Sequence, residues 1–117
     1  MNQEHNINII RGATFFLEIN LKQKDSVGQI TPFDATGLGL RGKIKRSFKS
    51  VNSWDFSFNI IDLSIGKFEV IMGADVTEML PIGTLVYDVE VFDPLDNTIV
   101  YKAAFGKATV ENEVTRS

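Results

Sequence analysis

The chain has 117 residues, 44% of them apolar and 23% charged, with no cysteine and a formal net charge of −3. That length sets one domain, residues 1–117, with enough surface to bury a single hydrophobic core, and the composition excludes a disordered chain. The lack of cysteine excludes disulfides, a thiolate nucleophile and cysteine metal sites, and the mild acidity gives no general pull toward nucleic acid or anionic lipid.

Met1 to Ile10 carries Glu4 and His5 and no long apolar run, so no secretory signal is expected. No apolar stretch approaches the roughly 20 residues of a membrane span. Synthesis and folding in the cytoplasm follow as the expectation.

Period-2 alternation dominates from there on. Phe15, Leu17, Ile19 and Leu21 alternate with Phe16, Glu18 and Asn20, which predicts a strand with one wet face. The polar run 22–29, with Asp25, Ser26 and Gly28, reads as a hairpin turn. Pro32 and the segment Phe33-Asp34-Ala35-Thr36-Gly37 make a corner. Leu38, Leu40 and Ile44 then alternate with Arg41, Lys43 and Lys45, and Gly39 and Gly42 thin that strand.

Trp54, Phe56, Phe58 and Ile60 alternate with Asp55, Ser57 and Asn59 as one further strand. The chain turns over 62–66, and Phe68, Val70 and Met72 form the hairpin partner. Residues 73–80 are the one helical candidate, with Asp75 as N-cap, Glu78 as its capping-box partner, and Pro81 and Gly83 as stops. So short a helix reads as a crossover between two sheets. Leu85, Tyr87, Val89 and Val91 mark the next strand. A turn over 93–97 leads to its partner over 98–105; Gly106 interrupts, 108–110 continue, and 111–117 form a polar C-terminal tail.

The sum is an all-β domain of about seven or eight strands with one short helix. A two-sheet antiparallel sandwich fits best, with a closed small barrel as the alternative. The expected core draws on Phe15, Leu17, Ile19, Leu40, Ile44, Phe56, Phe58, Phe68, Val70, Leu85, Tyr87, Val89 and Val100.

Chemistry is sparse. The only histidine, His5, lies near the terminus, and no G-x-S-x-G elbow exists, so no nucleophilic site and no enzyme are expected. Asp93, Asp96 and Asn97 are the densest oxygen ligands, but they lack EF-hand spacing and suit a turn. Asp88 and Glu90 share a strand face, as a solvated pair or a charge contact. The glycines at 37, 39 and 42 open no helix, so they make no dinucleotide fingerprint. No cofactor and no metal are expected.

The one uneven charge feature is Arg41, Lys43, Lys45, Arg46 and Lys49, five of the twelve basic residues. Phe48 and Trp54 lie close by. Such a stripe suits a nucleic-acid backbone, an acidic patch on a neighbouring subunit, or an edge strand guarded against other sheets. Phe16, Val86 and Phe92 fall on expected wet faces, where large apolar residues mark strands buried on both sides or a surface that meets another protein. The candidate interface is therefore Arg41, Lys43, Lys45, Arg46, Phe16 and Phe92.

The order of motifs carries a resemblance. It runs from Arg11-Gly12-Ala13-Thr14-Phe15 through Asp34-Ala35-Thr36-Gly37 and Tyr87-Asp88-Val89-Glu90-Val91 to Gly106-Lys107-Ala108-Thr109-Val110, closing on Glu113-Val114-Thr115-Arg116. This resembles a group of small tailed-bacteriophage virion proteins over nearly the whole chain. It is also similar to the N-terminal immunoglobulin-like domain of phage baseplate upper proteins. Arg11, Ala35 and Ala108 depart from the group's usual glutamine, leucine and β-branched residue.

The resemblance implies an immunoglobulin-like β-sandwich and a non-enzymatic structural protein of the virion, made in the host cytoplasm. A tail, baseplate or fibre-attachment adaptor comes first, a neck or capsid-decoration protein second. Its partners would be other virion proteins and further copies of itself, with no membrane and no nucleic acid. A carbohydrate-binding module, stacking sugars on Trp54, Tyr87 and Tyr101, is the reading from another class.

Overall fold

The computed structural model describes residues 4–112; residues 113–117 of the expected tail lie outside the described residues. The chain is all-β. Its elements are β1 (Ile7–Arg11), β2 (Phe15–Asn20), β3 (Lys22–Lys24), β4 (Ile30–Pro32), β5 (Gly39–Lys45), β6 (Ser53–Asp55), β7 (Ser57–Asp62), β8 (Lys67–Met72), α1 (Ala74–Thr77), β9 (Gly83–Asp93) and β10 (Asp96–Asn112). Ten strands stand among the described residues, more than the seven or eight expected. The three-residue strands β3 and β4 are too short to leave an alternation in the sequence, and β6 runs on into β7 as one alternating pattern.

The strands form a five-stranded sheet in the order β1-β10-β9-β5-β6, a three-stranded sheet in the order β2-β8-β7, and the β3-β4 hairpin. These are open sheets, which removes the closed-barrel alternative. Pairing is antiparallel except between β1 and β10, which run parallel from Ile7 opposite Ala108 to Arg11 opposite Asn112. An all-antiparallel arrangement is thus corrected at one edge. β1 and β10 are joined by no hairpin, so nothing forces their directions to oppose.

The inward residues of the two larger sheets meet in one core. Ile9, Ile44, Tyr87, Val89, Val91 and Val110 come from the five strands, and Ile19, Phe68, Val70 and Met72 from the three. Of the expected core, Phe15, Leu17, Leu40 and Phe58 are partly buried and packed against it. Val100 is the exception, 37% exposed. The register of β10 against β9 shifts between Lys102 and Ala104, and this bulge reverses the parity of the strand. Beyond it Ala104, Ala108 and Val110 point inward. Before it, Val100 stands opposite Phe92 on the outer side.

The alternating run 54–60 is not one strand. Its first part, β6, pairs with β5, and its second, β7, pairs with β8 in the other sheet. The chain changes sheets at Phe56, whose N–H bonds the Gly42 carbonyl at 3.0 Å. The Phe56 ring is buried, tilted against Phe15 and edge-on to Tyr87, each at 6.3 Å between centroids. Period-2 patterning reports which residues face inward but not which neighbour accepts the backbone, so the split leaves no mark in the pattern.

The helix links β8 to β9 and so crosses between the sheets as expected. Its N-cap is Gly73, not Asp75, which sits in the first turn. The Gly73 carbonyl accepts from both Val76 and Thr77, fixing the start two residues earlier than the side chains suggested. Thr77 is fully buried. Its hydroxyl accepts the Gly12 N–H at 3.0 Å and donates to the Ala13 carbonyl at 2.9 Å. That ties the helix to the corner between β1 and β2. Gly106 does not interrupt β10, which runs through it. The residue must be glycine for another reason: its φ is 152°, and a Cβ there would lie 2.7 Å from the His5 carbonyl oxygen.

Candidate interface surfaces

Alternation along β5 turns Arg41, Lys43 and Lys45 to the outer face of the five-stranded sheet, as expected. The register sets them opposite Glu90, Asp88 and Val86 on β9. Arg41 Nε bonds Glu90 Oε1 at 2.8 Å, and its guanidinium lies 4.5 Å from the centroid of the Phe92 ring. Lys43 Nζ stands 3.7 Å from Asp55 on β6. From the far side Lys102 reaches both acids, donating to Asp88 and standing 3.4 Å from Glu90. Asp88 and Glu90 are therefore the middle of a charge ladder that crosses three strands.

The ladder shifts both kinds of group. Partial burial pushes the Glu90 carboxyl up, but the Arg41 hydrogen bond and the Lys102 charge outweigh it and hold Glu90 below its ordinary value. Burial likewise pulls Lys102 down, and the bond to Asp88 with the nearby Glu90 charge raises it above the ordinary lysine value. Each group is stabilised in its charged form.

Two readings of the basic stripe change. β5 lies between β9 and β6, so it is no edge strand guarded by lysines. Nor is the stripe an open run of positive charge, because Arg41 and Lys43 face carboxylates. Among the described residues, no ion pair engages Lys45, Arg46 or Lys49. Arg46 and Lys49 sit in the loop after β5 beside Phe48, which is 75% exposed. An open groove of about 300 Å³ on this face is lined by Arg41, Lys43, Lys45, Phe48, Val86 and Glu90 among others.

The six candidate residues do not form one patch. Phe92 is half-buried beneath Arg41 and stands opposite Gly39 in the ladder. Phe16 is 58% exposed and belongs to the other sheet, where it pairs with Ile71 of β8. It therefore faces outward on the opposite side of the core from Arg41.

The remaining candidates resolve by geometry. Asp93 accepts the Leu95 N–H, and Asp96 accepts both the N–H and the hydroxyl of Thr98, so these acids serve their turn. The Asn97 side chain lies outside the described residues. Among the described residues no group of three or more His, Asp or Glu converges. Of the three candidate stacking aromatics, Tyr87 is buried and offers no face to a sugar. Trp54 packs partly against the core, and Tyr101 stands edge-on to Phe33 at 5.4 Å.

Sequence reasoning missed a concavity of about 610 Å³ between β2, the β3-β4 hairpin and β10. Leu17, Ile19, Leu21, Ile30, Ala103 and Ala104 supply its apolar lining, and Lys22, Lys24 and His5 border it. The signal in the sequence was β2 itself, a regular strand with a single charge.

No family model matches the chain, and no curated protein matches it.

Proposed function

We propose that this chain is a non-enzymatic structural protein of a tailed-bacteriophage virion, built as an immunoglobulin-like β-sandwich and serving as a tail, baseplate or fibre-attachment adaptor. The observation that carries the reading is the order of turn and strand-end motifs from Arg11 to Arg116, which resembles that group along nearly the whole chain.

The strand order supports the sandwich. A three-stranded sheet β2-β8-β7 opposite β10-β9-β5-β6 follows the division of an immunoglobulin domain into B-E-D and G-F-C-C′. The parallel β1 extends the second sheet at β10. The charged outer face supports an assembly role in turn. A mixed-sign ladder with Lys45, Arg46 and Lys49 at its end, in no ion pair among the described residues, suits a rim that selects and orients a neighbour. Such a part works in repeated copies set by the symmetry of the particle.

The test is mass spectrometry and immunogold labelling of purified particles from cells that produce the chain. Labelling at the tail tip supports the adaptor; labelling on the shell or neck favours a decoration or neck protein instead. Absence from the particle removes the reading. Light scattering across concentration adds the copy number, a discrete ring favouring a tail or neck component.

A further inference from the structure

The two flanks of the molecule are built differently. On one, β6 is three residues long, β7 carries a register shift between Ile60 and Asp62, and the chain itself crosses between the sheets at Phe56. Short, bulged and covered edges resist further pairing. On the other flank β2 keeps unbroken register with β8 over six residues, and among the described residues it has no second neighbour.

The direction of its hydrogen bonds follows from the ladder. The Leu21 N–H, just past β2, bonds the Gly66 carbonyl on the β8 side. Backbone groups alternate sides along an antiparallel strand, so Phe16, Glu18 and Asn20 turn their N–H and C=O groups to the open side. Beside that edge runs the groove of about 610 Å³. Leu17 and Ile19 lead into it, and Ala103 and Ala104, at the bulge of β10, give it a floor of small residues. Among the described residues neither Lys22 nor Lys24, in β3 just beyond the end of β2, has a carboxylate partner, whereas Glu18 has Lys67 at 4.0 Å.

We infer that the free edge of β2 is a docking edge for an extended segment of a partner protein, apolar at alternate positions and acidic at the end that meets Lys22 and Lys24. The unpaired backbone row requires a strand, because only an extended main chain matches donors and acceptors at every second residue. The small floor leaves room for every second side chain of that strand. The free lysines set the sign of its charged end. This docking edge does not depend on the virion reading, which stands or falls on presence in the particle.

The experiment is an amide NMR titration of the isotopically labelled protein. The probe is a capped peptide about seven residues long, to match a six-residue edge, alternating valine with serine and ending in two aspartates. The expected result is a saturable shift of the Phe16, Glu18 and Asn20 amides with slowed solvent exchange, together with shifts at Ala103 and Ala104. Methylating the edge-facing amides of the probe should weaken it by about tenfold or more. Exchanging its aspartates for lysines should weaken it as well. Undiminished binding of the methylated probe, or no shift in β2 at millimolar peptide, would overturn the inference. So would broadening of the same amides with protein concentration alone, which would give the edge to a second copy of this chain. No arm alters the protein's own sequence, so none depends on a variant that folds.

Discussion

Tyr87 is buried in the core, and its hydroxyl reaches out to donate to the backbone carbonyl of His5. The His5 N–H in turn bonds the Phe105 carbonyl at 2.8 Å. An exposed residue near the start of the chain is thus held on both sides of its backbone, and Tyr87 closes the core beneath it. Tyr87→Phe should cost about 1–3 kcal/mol, since it strands a carbonyl. Urea unfolding gives the loss, and faster exchange of the His5 amide would locate it.

The same hydroxyl sets an alkaline limit. Burial pushes the Tyr87 hydroxyl up to about 12 from 10.0. A folded value above the unfolded one means that the contribution is fully present below the unfolded value and is lost as pH rises toward the folded one. Stability should therefore fall between about pH 10 and pH 12. The Phe variant should show a shallower fall across that window in parallel urea series.

Thr77→Val keeps the shape and removes the hydroxyl that bridges Gly12 and Ala13. A partly buried N–H and a partly buried carbonyl then lose their partner, at about 1–3 kcal/mol. Thermal unfolding measures the cost, and increased exchange at Gly12 distinguishes a loosened corner from general destabilisation.

Gly42→Ala should destabilise by about 1–3 kcal/mol, because the added carbon has nowhere to go. It would lie 2.9 Å from the Asp88 carbonyl oxygen and 3.1 Å from the Phe56 ring. A backbone oxygen in a five-stranded sheet cannot move aside as a flexible side chain can. An unchanged denaturation midpoint would refute this account of the Phe56 crossing.

Glu90→Gln should cost no more than about 1 kcal/mol, since the ladder is partly exposed and surface pairs are weak. The loss should shrink in salt. The Glu90 value is lowered in the fold, so its contribution is present above the ordinary carboxylate range and lost as pH falls through the lowered value. The Gln variant should lose that part of the acid dependence, read from unfolding midpoints across an acid series.

Much of the molecule was legible because burial and alternation share one cause. Residues such as Ile19, Phe68, Val70 and Val89 recur at every second position, and each is buried. Turn chemistry was equally direct, as Asp93 and Asp96 show by bonding their own backbone. The charge ladder was half visible: both Asp88 with Glu90 and Arg41 with Lys43 were recognisable faces. Their meeting depended on β5 lying next to β9, a pairing between strands about forty residues apart in sequence.

By itself, then, the sequence determined an all-β chain, its inward faces and its turns, because side-chain polarity and backbone preference act locally. The tertiary structure alone decided that Phe56 divides one alternating run between two sheets, that β1 runs parallel to β10, and that a bulge turns Val100 outward. It also decided that Arg41 meets Glu90 on β9 while Lys43 meets Asp55 on β6, and that β2, among the described residues, keeps a free edge over a groove. Each of these depends on which strand supplies the neighbouring backbone, and a period of two carries no record of that choice.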